Sequence, residues 1–197
     1  MQININVGVS NRHVHLTQED FAILFGSDST LEVNRYLTQP GEFASNSLVT
    51  LKTEKSSIDN VRVLGPIRKY TQIEISKTDA YKLGLKPPVR ESGDIAGSEK
   101  ITIIGPNGSV EKKEGCIIAT RHIHATKEDM EKYGLDENKK YLVKIGGVKG
   151  GIIGGVSVKV SDKYYFEMHV DTDDANAHLI DKSNNVGTII GEDNESI

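Results

Sequence analysis

The chain has 197 residues, 37 % of them hydrophobic, with 24 basic and 28 acidic side chains and a net charge of −4. That is enough for one large domain or two small ones, with no basic surplus to serve as a nucleic-acid footprint. No run nears the roughly 18 consecutive apolar residues of a membrane span, and a single Cys excludes both an intramolecular disulfide and a Cys-rich zinc module.

Gln2, Ile3, Asn4, Ile5, Asn6 and Val7 alternate polar and apolar, which predicts an opening strand. The segment has neither a basic leader nor an apolar signal stretch, so a cytoplasmic protein is expected. Arg12-His13-Val14-His15 continues as strand. Thr17 ahead of Glu19 and Asp20 predicts a helix start, and Gly26 its stop. Residues 26–46 are polar, show no period, and read as an inserted segment. Short β-rich runs follow at 48–52 and 60–64, then Ile73-Glu74-Ile75 leads into a helix start at Ser76 to Asp79. Further strands are predicted at 100–104, 116–119, 141–145, 156–160 and 164–170. The Gly-rich stretch 146–155 lacks the spacing of a phosphate-binding loop and reads as turns. Residues 191–197 read as a tail that frays.

The chain repeats itself. Residues 12–20, Arg-His-Val-His-Leu-Thr-Gln-Glu-Asp, return at 121–129 as Arg-His-Ile-His-Ala-Thr-Lys-Glu-Asp. The Arg, both His, the Thr and the Glu-Asp pair are identical, and Val stands against Ile. A weaker match sets 73–80 against 168–175, with Asp79-Ala80 on Asp174-Ala175 and Glu74 on His169. Many short strands with few short helices, present twice, predict a mainly β protein of two similar small β-barrels related by internal duplication and capped by short helices.

The repeat places the histidines. Residues i and i+2 of a strand share a face, so His13 projects with His15, and His122 with His124. Two imidazoles on one face suit a single divalent cation, and a catalytic zinc site takes three protein ligands and leaves a position open. The weaker repeat offers Glu74 as third ligand for the first pair and His169 for the second. Arg12 and Arg121 point to the opposite strand face, as salt-bridge partners or ligand contacts. Arg68-Lys69, just ahead of the Glu74 strand, is a surface charge or an anion site. Cys116 reads as a buried core thiol, and His178 as a helix-face residue. From the residues alone, the expectation is a β protein with two metal sites and metal-assisted chemistry.

At these residues the sequence resembles the phosphate propanoyltransferase family, the PduL-type phosphotransacylases of propanediol utilisation. The resemblance is carried by Val9 to Leu16, by Val61 to Arg68 with Thr71 to Ile75, by Pro88 to Asp94, by Ala119 to His124 and by Glu167 to Asn176. It implies an enzyme, a phosphate acyltransferase that interconverts a short-chain acyl-CoA (propanoyl-CoA or acetyl-CoA) plus phosphate with acyl phosphate plus CoA. It further implies two Zn²⁺ per chain in a cleft between the barrels, and a homodimer. One zinc is expected on His13, His15 and Glu74, with the CoA sulfur as fourth ligand, and the other on His122, His124 and His169. Arg68 falls on the phosphate-binding position. Val9, Ser10, Asn11, Lys55, Arg62 and Asn176 fall where the family meets coenzyme A. The implied domains interleave: 12–25 plus 47–119 in one barrel, 2–11 plus 120–190 in the other. No helical microcompartment-targeting extension is seen ahead of the first strand. The partners expected are acyl-CoA and phosphate, with no nucleic acid and no membrane. A zinc-dependent hydrolase of acyl thioesters or acyl phosphates and a non-catalytic metal-binding module are the alternatives. A phosphate-binding Arg argues against the first, and only three ligands per site against the second.

Overall fold

The computed structural model describes residues 2–194, and its chain divides into two compact units. One is Asn11–Ala119; the other takes the chain up to Ser10 and again from Thr120. In chain order the elements begin with β1 (Ile3–Ser10), β2 (His13–His15), α1 (Gln18–Phe25), β3 (Val33–Tyr36), β4 (Phe43–Lys52) and β5 (Ser57–Gly65). Then come β6 (Gln72–Glu74), α2 (Lys77–Leu83), β7 (Val89–Arg90), β8 (Glu99–Ile104) and β9 (Ser109–Ala119). The rest are β10 (His122–Ala125), α3 (Lys127–Tyr133), β11 (Tyr141–Ile145), β12 (Gly151–Val160), β13 (Glu167–Asp171), α4 (Thr172–His178) and β14 (Val186–Glu192). No helix among the described residues is long and apolar enough to cross a membrane.

Each unit closes a ring of six strands, the mainly β duplicate the repeat predicts. One runs β1-β13-β10-β12-β11-β14; the other runs β4-β5-β2-β6-β9-β8 and back to β4, with β3 and β7 added at β4 and β9. The two rings share a pairing plan. The His-x-His strand lies antiparallel to one neighbour (β2 to β6, β10 to β13) and parallel to the other (β2 to β5, β10 to β12). β1 runs parallel to β13 as β9 runs parallel to β6. The strand that leads into each His-x-His therefore belongs to the other ring.

Strand alternation fills each interior. Ile5, Val7, Ile123 and Met168 enter one apolar core; Val14, Val63, Ile73 and Cys116 enter the other. The histidines flanking Val14 and Ile123 consequently point away from the core of their own ring. Helices begin where the caps predict. Thr17 Oγ1 accepts from Asp20 N at 3.1 Å, and Thr126 and Asp129 form a reciprocal capping box.

Residues 26–46 contain β3 and the start of β4. All four residues of β3 are exposed, so this edge strand has no apolar alternation to show in the sequence. Phe43 opens β4 over Gly65, where a Cβ would collide with its ring. The Gly-rich stretch forms a turn and then β12, with Gly147 and Gly155 at φ of 90° and 68°. At the C-terminal end β14 holds Gly191 and Glu192 against β11, and Asp193 bonds Lys140 O and Gly155 N at 2.8 and 2.6 Å, so this end is anchored as far as Asp193. The expectation of a frayed tail over 191–197 is thus corrected at 191–193, and its last residues, 195–197, lie outside the described residues.

Each arginine ahead of a His-x-His ties its strand to a helix. Arg12 Nε meets Asp79 Oδ2 at 2.8 Å, and Arg121 grips Asp174 through two bonds of 2.7 Å while Nη1 reaches Gly154 O at 3.0 Å. Asp79 and Asp174 are the matched positions of the weaker repeat. The pairing raises the pKa of Arg121, chiefly through the Asp174 hydrogen bond. Arg121→Ala should lower the unfolding free energy of the metal-free protein by about 1 kcal/mol, the partly exposed pair being screened by water. Urea titration at pH 7.5 checks this.

Candidate metal centres

Register decides which side chains meet. On β2 and β6, His13 lies opposite Glu74 and His15 opposite Gln72. On β10 and β13, His122 lies opposite His169 and His124 opposite Glu167. With His15 and His124 on the same faces as His13 and His122, two clusters result. In each of them, His13-His15-Glu74 and His122-His124-His169, the candidate ligand atoms all lie within 4.8 Å of one another. The four His-x-His histidines are buried, the most exposed of them at 8 %, and His169 on β13 is partly buried.

The hydrogen bonds prepare these rings for a cation. His13 Nδ1 donates to Asn11 O and His122 Nδ1 to Thr120 O, each at 2.8 Å. A carbonyl only accepts, so the proton sits on Nδ1 and Nε2 keeps its lone pair. His122 Nε2 then faces His124 Nε2 at 2.8 Å. His124 keeps a buried Nδ1 for which no hydrogen-bond partner is seen among the described residues. Imidazole lone pairs that converge on one point are what a divalent cation accounts for. The residues present fit such an ion as a His₂Glu and a His₃ donor set.

Charge favours the same state. Burial, then the neighbouring His13 and Arg68 charges, hold the His15 pKa well below its usual value. Burial and the Lys159 charge do the same for His122, and burial and His169 push His124 down to about 3. These rings are neutral at pH 7, which is the form that binds metal.

Beside the first cluster stands Arg68, the cation that lowers the His15 pKa. Its backbone N–H bonds Leu16 O at 2.9 Å, which fixes the residue against the end of β2. Its guanidinium donates to Glu42 Oε1 at 3.0 Å and to Ser92 Oγ at 3.2 Å. Ser92 Oγ also accepts from Gln72 Nε2 at 2.8 Å, and Gln72 Nε2 reaches Glu74 Oε1 at 2.6 Å. A four-residue chain thus links Arg68 to the carboxylate of the cluster. Gln72 and Ser92 lie in the blocks 71–75 and 88–94 that carry the family resemblance, but the sequence predicts no site role for them or for Glu42, and only the folded chain connects the three.

The residues expected at coenzyme A have separate local settings. Val9 and Asn176 line one open groove of about 420 Å³ together with Thr172, Asp181 and Lys182. Ser10 pairs with Asp171 in the β1–β13 register, and Asn11 O accepts from His13 Nδ1 while its Oδ1 accepts from Arg12 N. Arg62 donates to Ser45 O from β5, while Lys55 lies over the Tyr81 ring with its Nζ 5.3 Å from the centroid. Cys116 lies in the core, its thiol pushed up to about 12 by burial, which leaves it protonated and no nucleophile. His178 closes α4 and reaches Lys149 O at 3.3 Å.

The sequence profile of phosphate propanoyltransferases matches residues 6–181. The chain belongs to the phosphate propanoyltransferase family. It is 50 % identical over 179 residues to the phosphate propanoyltransferase of Thermotoga maritima, covering 89 % of this chain and 84 % of that one. Against the Priestia megaterium enzyme of the same name it is 50 % identical over 176 residues, covering 89 % and 81 %. Against that of Shewanella putrefaciens it is 41 % identical over 190 residues, covering 96 % and 90 %. The chain is an acyltransferase enzyme.

Buried neutral histidines give the metal-free protein a pH-dependent stability. Unfolded, each takes a proton near pH 6.5; folded, His15, His122 and His124 refuse it until far lower pH. The unfolded state therefore binds more protons below pH 6.5, and stability falls as pH drops from 6.5 toward 3. The urea midpoint of metal-free protein should be lower at pH 5 than at pH 7.5. An equal or higher midpoint at pH 5 would show that these rings are not buried neutral.

Proposed function

We propose that the chain transfers a short acyl group, propanoyl or acetyl, between coenzyme A and phosphate, with one zinc ion on His13, His15 and Glu74 and a second on His122, His124 and His169. The observation that carries this is the Arg68 guanidinium, hydrogen-bonded by way of Ser92 and Gln72 to the carboxylate of a metal-binding cluster. A fixed cation beside a Lewis-acid site suits a reaction between an anion and a thioester.

The residues divide the work. Bound zinc would stabilise the thiolate that leaves or attacks, because a soft sulfur is a good zinc ligand and loses its proton on binding. Arg68 binds phosphate, and its bonds to Ser92 and Glu42 set the plane of its donors. Glu42 accepts from Arg68 Nη2 at 3.0 Å, so a phosphate oxygen that uses this nitrogen competes with a carboxylate for it. Oriented in this way, a phosphate oxygen attacks the acyl carbon and the carbon–sulfur bond breaks. Acyl phosphate and thiolate result, with no proton donor needed at the carbon. Fixing the reactants beside each other can supply roughly 7–11 kcal/mol of a bimolecular barrier in favourable cases.

Coenzyme A contacts are proposed residue by residue. Lys55 and Arg62 offer cations for its phosphates within the Asn11–Ala119 unit, where Asn11 offers backbone polar groups. Val9, Ser10 and Asn176 belong to the other unit, two of them on its groove. A homodimer and a cytoplasmic setting complete the reading.

The test is thiol release from acetyl-CoA, propanoyl-CoA and butanoyl-CoA with and without phosphate, with metal analysis of the same preparation. Phosphate-dependent release that forms acyl phosphate supports the reading; release at equal rate without phosphate identifies a hydrolase instead. Arg68→Ala should cut phosphate-dependent turnover by about 10²-fold or more while zinc stays at the parent level. His13→Ala should lose one of two zinc equivalents, and retention of both would remove His13 from the ligand set.

A further inference from the structure

The third ligand of each cluster has a companion two residues earlier on the same strand. Gln72 precedes Glu74 on β6, and Glu167 precedes His169 on β13. The companions occupy the same register position, Gln72 opposite His15 and Glu167 opposite His124. Both are buried, at 0 % and 6 % exposure. Each bonds the third ligand: Gln72 Nε2 donates to Glu74 Oε1 at 2.6 Å, and Glu167 Oε2 accepts from His169 Nε2 at 2.8 Å.

The polarity is reversed in step with the ligand. A carboxylate ligand can only accept, and its companion is an amide donor. An imidazole that binds a cation through one nitrogen has a ring N–H to give away at the other, and its companion is a carboxylate. Each bond also selects the ligand atom. With Oε1 held by Gln72, Glu74 presents Oε2, which lies 3.5 Å from His13 Nε2. With Nε2 held by Glu167, His169 keeps Nδ1 for a cation.

The companions are themselves fixed. Gln72 Oε1 accepts from Gly93 N at 2.7 Å, and its Nε2 is shared with Ser92. Glu167 and His169 lie over Gly8 of β1. A Cβ there would fall 2.9 Å from His169 Cδ2 and 3.2 Å from Glu167 Cδ, so the glycine is what lets the pair sit flat on the neighbouring strand.

We infer that Gln72 and Glu167 are positioning residues of the two metal centres, each matched in hydrogen-bond polarity to the third ligand it orients. This rests on the two-metal reading above.

The experiment measures zinc affinity of the full-length protein by competition with a chelator, for the parent, Gln72→Leu, Glu167→Gln, Glu74→His and the double variant Gln72→Glu/Glu74→His. The parent should hold two zinc ions tightly. Gln72→Leu and Glu167→Gln should each keep one site at parental affinity and weaken the other about 10- to 100-fold, the usual effect of losing an outer-shell partner. The double variant turns Gln-Ile-Glu into the Glu-x-His pattern of β13. It should bind zinc at that site at least tenfold more tightly than Glu74→His alone, an effect that a purely structural role for residue 72 would not produce. Two parental-affinity sites in both single-companion variants, or a double variant no tighter than Glu74→His, would overturn the inference while the two-metal reading stands. A parent that binds no zinc would overturn that reading itself. Should Gln72→Leu fail to fold, Glu167→Gln and the double variant still decide.

Discussion

The facing of His13 with Glu74 and of His122 with His169 across antiparallel strands is the constraint on which the site depends. Antiparallel neighbours bring opposed side chains close enough to touch, and alternation puts the second histidine of each strand on the same face. A slip of one residue would send Val14 or Ile123 outward and the histidines into an apolar core. The apolar cores therefore do more than stabilise the rings: they fix the register that assembles three candidate ligands, and they make any other register costly.

That constraint has an electrostatic price, and both units meet it alike. Burying two or three imidazoles and a carboxylate together requires the histidines to be neutral and their nitrogens to be used. Backbone carbonyls of Asn11 and Thr120 accept one Nδ1–H hydrogen bond each, and a cation would take the converging lone pairs. Arg68, held by Glu42 and Ser92, stands beside the first cluster, while the positive charge that bears on the second is Lys159. The two centres are thus similar in ligand geometry and different in surroundings, which is what a duplicated site with divided duties needs.

Much of this was legible in the sequence because it depends on spacing. The doubled His-x-His motif announces two strands with ligands on one face, and the offset between Glu74 and His169 in the weaker repeat points to third ligands. The helix caps at Thr17 and Thr126 follow from local chemistry. What escaped depends on partners far apart along the chain. Glu42 sits between β3, which is exposed on both faces and leaves no period, and the start of β4, yet its carboxylate meets Arg68. Gln72 and Glu167 are unremarkable as residue types, and their position opposite His15 and His124 is a matter of register. Gly8 looks like a break in an alternating strand until the imidazole above it is seen. The arginines ahead of each His pair could serve a ligand or a helix, and the geometry turns them to Asp79 and Asp174.

Where a metal sits is the decisive observation. Crystals of the zinc-loaded protein, measured on both sides of the zinc absorption edge, should give two anomalous difference peaks per chain, one bounded by His13, His15 and Glu74 and the other by His122, His124 and His169. Peaks elsewhere, or none at these triplets in protein that retains full activity, would contradict it.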